Sequence, residues 1–364
     1  KYWINFNVPG EGVRREYVGY SIEEAQDADG KRRTQKRENR IFDMLPEAKM
    51  TFKELADWYL DLSKVKALRS YSNVKLCLKN FNKVFGPRIV GDIKQLDLEE
   101  YQEKRAGEKK SAATIDMEIR IAKTMVRKAL DNDLVAGRTL KAFNLTEKKL
   151  KRGSNARERT LSFDEISKLL FEAPPHLRAM IEVALYTGMR QGELRELRWK
   201  HIDRKTKFIR LPASMTKENK NKNVPIAPRV MEILDSLVVP INKNTDGHVF
   251  IFRGKPITHN TGMKKGMRNA CKRAGLSYGR KAENGLTFHD LRRTAKTNMV
   301  NAGIKKEHRD TILGHSLGGM DDYYIKPTEE DLTKAMAQYA AWIARGGKTE
   351  EEAKKEEDHL DKAM

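Results

Sequence analysis

Apolar residues recur along this chain with two different periods, and the change of period divides it. The opening runs Tyr2–Val8 and Arg14–Tyr20 are β-like, and Pro9-Gly10 between them predicts a turn joining two strands. A helix is expected from Ser21, with Glu24 completing a capping box. The basic run Lys31-Arg32-Arg33 and Lys36-Arg37 comes next. Residues 1–45 are too few for a large core, so they predict a minidomain or an arm.

From residue 50 the spacing becomes helical. Thr51 caps a segment that places Leu55, Trp58, Tyr59 and Leu62 on one face. Tyr71 to Phe85 predicts a second helix, stopped by Gly86-Pro87, and Leu96 to Arg105 a third. Ser111 opens a longer one through Ile115, Ile119, Met125, Val126 and Leu130. The pattern of residues 50–146 suits a DNA clamp, a partner-binding module or a scaffold alike. Residues 147–159 have no hydrophobic period. Their Lys148, Lys149, Lys151, Arg152, Arg157 and Arg159 make either a solvated linker or a strip along a phosphate backbone.

Residues 160–345 form the largest unit, read as mostly helical with a few strands. Ser162 and Glu165 make a capping box; Lys207–Pro212 and Asn223–Ile226 read as the strands of a hairpin; Val249–Phe252 reads as a buried strand or turn. The tail, residues 346–364, carries seven acidic residues against four lysines and predicts a solvated helix or a disordered end. The expected fold class is mainly α with small β elements: a small N-terminal sheet, a helical bundle and a mixed α/β unit.

Composition sharpens this picture. At 39% hydrophobic residues the chain has enough apolar side chains for packed cores, and its 364 residues imply two or three domains. The net charge of +21 calls for an acidic partner, nucleic acid or an anionic membrane, with a lysine-rich soluble surface as the plainer alternative. No run approaches the ~18 apolar residues of a membrane span, and no signal peptide is visible. Cys77 and Cys271 lack CxxC partners, which argues against a zinc site or disulfide framework and fits a reducing cytoplasm.

The candidate chemistry lies in the last unit. In Thr187-Gly188-Met189-Arg190-Gln191-Gly192-Glu193, glycines flank an arginine at the join of two helices, where its planar fork can face a phosphate; pairing with Glu193 is the bland alternative. Thr216-Lys217 sits at the expected hairpin tip, where a lysine can contact phosphate or donate a proton. Lys220 and Lys222 compete for that role, and position at the first strand favours Lys217. His289 and Arg292 are three apart on an expected helix and share a face, while Arg293 points elsewhere. His315 follows a helix ending in Gly314. Tyr324 comes nine residues after His315, beside Tyr323; such a pair ordinarily packs, and as a nucleophile the phenol must lose its proton.

Each element alone is ambiguous. In this order and spacing, the set resembles the tyrosine recombinase, or phage integrase, family over residues 160–345. Residues 50–146 look like that family's core-binding domain, and the opening strands look like the arm-binding domain of lambda-type integrases. The resemblance implies roles. Arg190 and Arg292 clamp the scissile phosphate, with His289 and His315 completing the clamp and moving protons. Lys217 protonates the leaving 5′ oxygen, Tyr324 forms a 3′-phosphotyrosyl bond, and Glu193 orients the site. No metal, nucleotide or other cofactor is implied, because the covalent bond retains the phosphodiester energy.

Arg32, Arg33, Lys36, Lys148, Lys149, Lys151 and Arg152 are candidate DNA contacts. The resemblance further implies double-stranded attachment sites of a mobile element, a homotetramer on DNA, accessory bending or directionality proteins, and a cytoplasmic, nucleoid-associated enzyme. The helix carrying Leu332, Ala335, Tyr339 and Trp342 on one face either packs in cis as core or docks on a neighbouring protomer, as family members often do, and docking in trans is the favoured expectation. Rival readings are a type IB topoisomerase, a non-catalytic architectural DNA-binding protein, and a basic helical scaffold for RNA.

Overall fold

The computed structural model describes residues 1–8, 12–37, 50–237, 246–258, 262–316, 319–320, 324–349 and 352. The chain divides into two compact units, Lys1–Ala156 and Arg157–Met364. The expected turn at Pro9-Gly10 and most of the acidic tail lie outside the described residues.

In the first unit, β1 (Tyr2–Val8) pairs antiparallel with β2 (Gly12–Gly19), and α1 (Ile22–Arg37) follows. The Ser21 hydroxyl accepts from the Glu23 amide at 3.2 Å, not from the amide of the expected Glu24 box. The basic run does not follow this helix but forms its last turns. One of its arginines is pinned. Arg32 Nε and Nη2 donate to the Glu16 carboxylate at 2.8 and 2.7 Å, and its guanidinium lies 5.2 Å from the Phe6 ring centre. This residue ties α1 to the hairpin through a cation–π contact and a two-point ion pair.

The helical part comprises α2 (Phe52–Asp61), α3 (Ser63–Lys66), α4 (Tyr71–Phe85), α5 (Gln95–Gly107), α6 (Ala112–Leu130) and α7 (Gly137–Leu145). Thr51 and Glu54 close a capping box on α2, which is why that helix starts where it does. Its core is an aromatic stack: Phe81 lies 5.4 Å from Phe52 and 4.3 Å from Tyr101. Glu118 is buried in this bundle and accepts from Arg105, Tyr101 and Asn80, so its charge is paired and hydrogen-bonded. The short helices α3 and α7 carry too few periodic positions to be predicted from sequence. The linker is partly fastened, since the amides of Lys149 and Leu150 donate to the Asp116 carboxylate at 2.9 and 3.0 Å.

The second unit opens with α8 (Phe163–Glu172), capped by the expected Ser162–Glu165 box, then α9 (Pro175–Thr187) and α10 (Gln191–Arg195). A three-stranded antiparallel sheet follows, ordered β3 (Ile202–Asp203), β4 (Phe208–Leu211), β5 (Lys222–Pro225). The predicted hairpin is the β4–β5 pair, with Leu211 opposite Lys222. Then come α11 (Pro228–Ser236), the two-residue strands β6 (Ile251–Phe252) and β7 (Lys255–Pro256), α12 (Lys264–Arg273), α13 (Phe288–Asn301), α14 (Lys306–Leu313) and α15 (Glu329–Ala344). Helix α9 is apolar nearly all round, with Leu177, Met180, Ile181 and Val183 fully buried, so it runs through the core against α13.

The expectation that residues 332–342 dock on another protomer is corrected. Leu332, Ala335, Met336, Tyr339 and Trp342 of α15 are buried within their own unit. The Tyr339 hydroxyl donates to the Leu185 carbonyl at 2.9 Å, and Trp342 meets Phe163 edge-on at 5.4 Å. The apolar stripe was legible; its partner was not, because a stripe does not say which surface covers it. Trp342→Ala is expected to cost about 3 kcal/mol in denaturant melts, with the loss unchanged over a roughly hundredfold range of protein concentration. A loss that grows on dilution would show that the helix docks between chains.

Candidate active site

The site is built around a helix end. Helix α9 stops at Gly188, whose φ of +61° lies in the left-handed region that favours glycine. A Cβ there would stand 2.3 Å from Cδ2 of the buried Leu313, so a larger residue would have to displace that side chain as well as strain the turn. The Gly188 carbonyl accepts from Arg292 Nη1 at 2.7 Å. Arg292 Nη2 donates to the Leu313 carbonyl and to His315 Nε2, both at 2.8 Å. Because a guanidinium only donates, His315 Nε2 accepts and its proton sits on Nδ1, which faces Asp310 Oδ1 at 3.4 Å. Arg292 is thus 5% exposed and makes three hydrogen bonds; burial, then the nearby Arg190, bring its pKa down to about 10, and it stays charged at neutral pH.

Arg190 is the N-cap residue of α10. Its amide donates to Glu193 Oε2 at 3.0 Å and its Nη1 to Glu193 Oε1 at 2.9 Å. Glu193 is 2% exposed and takes a third bond from Lys222 Nζ at 2.9 Å. Burial alone would raise the Glu193 carboxyl; Lys222 and Arg190 outweigh it and hold the group below the usual range. Lys222 is itself buried on β5. Desolvation pushes its ammonium down to about 8, against the pull of Glu193, with Arg292 and Arg190 adding repulsion. Its stem lies under Gly314, whose φ is +69° and whose Cβ, if present, would stand 3.0 Å from Lys222 Cδ.

The β4–β5 loop is held by Thr216, which is 1% exposed and whose hydroxyl donates to the Lys220 carbonyl at 2.7 Å. Lys217 itself is exposed. Its neighbour Glu218 reaches Arg190, with Oε2 3.0 Å from Nη1 and Oε1 bonded to Nη2. A cleft of about 520 Å³ runs past Thr216, Glu218, Lys222, Gly314, His315 and Ile325. His289 is exposed; partial desolvation and then Arg292 and Arg293 hold it below its ordinary pKa, as burial and then Arg292 do for His315. Arg293 turns aside to Asp290 at 3.1 Å. Tyr324 stands at the cleft's edge, 77% exposed, one residue before the lining Ile325. Tyr323 lies outside the described residues.

The profile of the phage integrase family matches residues 159–331. The second unit belongs to the phage integrase family. The relatives of this integrase domain include the shufflon-specific DNA recombinase of Escherichia coli, 31% identical over 153 residues, covering 41% of this chain and 35% of that protein. The integrase of Salmonella phage P22 is 28% identical over 162 residues, covering 43% and 40%. The chain therefore spans less than half of the length of either relative. Among solved structures, a lambda integrase dimer bound to a core site superposes with a TM-score of 0.60 at 20% identity, over 90% of this chain and 94% of that one. A lambda integrase tetramer bound to a Holliday junction gives 0.60 at 19% identity, over 90% and 96%. At such identities the likeness is one of fold.

The structure forms two neighbouring hydrogen-bonded groups in the integrase domain, Arg190 with Glu193 and Arg292 with His315, coupled to each other and to His289 through charge. It leaves Lys217 and Tyr324 at the surface. It adds Lys222, seen in sequence only as a rival to Lys217, and Glu218 and Asp310, which carried no signal. Among the described residues no group of His, Cys, Asp or Glu converges as metal ligands would. Of the candidate DNA contacts, Arg32 is engaged as described, Arg33 pairs with Asp29 at 2.8 Å, and Lys149 pairs with Glu103. Lys148, Lys151 and Arg152 line a cleft with Arg120 in the first unit. The Lys36 side chain lies outside the described residues.

Lys222→Met leaves Glu193 with a single cationic partner in a buried site, and is expected to cost about 3 kcal/mol of stability. Adding Glu193→Gln should recover most of that loss in a double-mutant cycle; additive losses would mean the two residues do not act as a pair. The histidines set a pH limb. Their folded pKa values lie below the unfolded one, so on acidification the unfolded chain takes up protons first. Stability therefore falls as pH drops below about 6.5. Replacing His289 and His315 with glutamine should flatten that limb in melts taken across it.

Proposed function

We propose that this protein is a site-specific DNA recombinase that cuts and rejoins DNA strands through a 3′-phosphotyrosyl bond at Tyr324, for integration or excision of a mobile element. The observation that carries the reading is the Arg190–Arg292 pair. Arg190 at the start of α10 and Arg292 on α13 are held by a buried carboxylate and by backbone carbonyls, and their partners Glu218 and His315 line a cleft whose wall continues into Ile325 beside Tyr324.

Fixed guanidinium donors of this kind stabilise charge as it develops on a phosphorane, with no reorganisation at the moment of reaction. In the proposed step the Tyr324 oxygen attacks phosphorus, and the bond to the 5′ oxygen breaks. The phenolic proton passes to a neutral histidine, and Lys217 supplies a proton to the leaving oxygen. Depressed histidine pKa values suit proton acceptance at neutral pH. Religation reverses these steps, so neither nucleotide nor metal is needed. Glu193 would orient Arg190. The basic residues Arg33, Lys36, Lys148, Lys151 and Arg152 would add phosphate contacts. The lambda integrase structures bound to a core site and to a Holliday junction support DNA as the partner and a tetramer on DNA as the working assembly. Directionality or bending proteins would then act on that assembly, in the cytoplasm where the DNA lies.

The test is a nicked suicide substrate carrying the attachment core, read as a protein–DNA band stable in detergent. Wild type and Tyr323→Phe should give the band and Tyr324→Phe should not. Arg292→Ala is expected to slow the band's appearance at least about a hundredfold. Specific binding with no band would favour an architectural protein, and loss only in Tyr323→Phe would move the nucleophile by one residue.

A further inference from the structure

Arg190 holds two carboxylates, and they are not equivalent. Glu193 is buried beneath it and is neutralised in turn by Lys222. Glu218 sits at the rim, its side chain 30% exposed, and takes the outer edge of the guanidinium with both oxygens. Two parallel N–H bonds to one planar acid make the same grip that a guanidinium offers the two non-bridging oxygens of a phosphodiester. Glu218 also lines the cleft shared by Lys222 and His315. Charges agree with this reading. Arg190, Arg292 and Lys222 set three positive charges against the two negative charges of Glu193 and Glu218. Removing Glu218 from the site leaves a surplus of two for an incoming phosphodiester.

The loop sets Lys217 beside this contact. Thr216 is anchored by its hydroxyl, and Asn219 on the far side adopts φ +54°. Between these points lie only Lys217 and Glu218, so Lys217 is the immediate neighbour of the carboxylate that holds Arg190.

We propose that Glu218 is an internal stand-in for the scissile phosphate. In the DNA-free protein it holds Arg190 in its phosphate-gripping orientation and keeps stray anions out. A duplex that docks correctly displaces it and takes over the freed guanidinium edge. The proposal rests on the recombinase reading of this site, and it is tested so that the two can fail separately. A partly exposed ion pair is weak, so a duplex bound by many contacts overcomes it.

Glu218→Gln removes the charge; Glu218→Asp keeps the charge but shortens the reach by one methylene. The first measurement is thermal unfolding of the DNA-free protein titrated with inorganic phosphate at constant ionic strength. Both variants should bind phosphate about two- to fivefold more tightly than wild type. The second is the rate of covalent adduct formation at subsaturating suicide substrate, which both should raise by a similar factor. Equal phosphate dependence in all three proteins overturns the stand-in. A gain in Glu218→Gln alone also overturns it, since that outcome reports long-range charge and not the two-point grip. If no protein forms an adduct, the recombinase reading falls, and the phosphate titration still decides whether Glu218 occupies an anion site.

Discussion

A guanidinium shut away from water must have its N–H groups satisfied, and this requirement organises the second unit. Arg292 answers much of it with two bonds to backbone carbonyls at the ends of α9 and α14 and one to His315. Those carbonyls are free because both helices terminate there in left-handed glycines, Gly188 and Gly314, which turn the chain and leave the last carbonyls without helical partners. The arginine is therefore at once a C-cap for two helices and the cation of the site. Its bond to His315 fixes the tautomer of that ring, and Asp310 secures it from the other side.

Around this centre lies a second charge relay of a different kind. Glu193 is buried with Lys222 on one oxygen and Arg190 on the other. An ion pair in such a place adds little net stability, because desolvation offsets the attraction. What it gives is position. Arg190 belongs to the turn after α9, Lys222 to a strand, and Gly314 to the end of α14; the Lys222 stem under Gly314 brings all three into register. A slip of one residue in the β4–β5 pairing would turn Lys222 to the other face of the sheet and leave Glu193 unbalanced. The small sheet thus acts on the site through one buried lysine as well as through its loop.

The sequence by itself determined the elements and the ordered set of polar residues. Capping boxes at Thr51 and Ser162, the glycine stops after α4 and α9, and the β4–β5 strands are local features, set by side chains within a few residues of each other. The family assignment followed from Arg190, His289, Arg292, His315 and Tyr324 taken in order, because spacing along a chain survives without coordinates. Short elements escaped: α3, α7 and β3 are too brief to show a period. What only the tertiary structure decided was partnership. It turned Arg32 from a free cation into a strut on Glu16, placed α15 on its own domain, buried Lys222 while leaving Lys217 in solvent, and set Glu218 on Arg190. Each of these depends on which surface covers a stripe or which opposite charge stands close in space. Those distances are fixed by packing between segments up to 154 residues apart, and no local pattern records them.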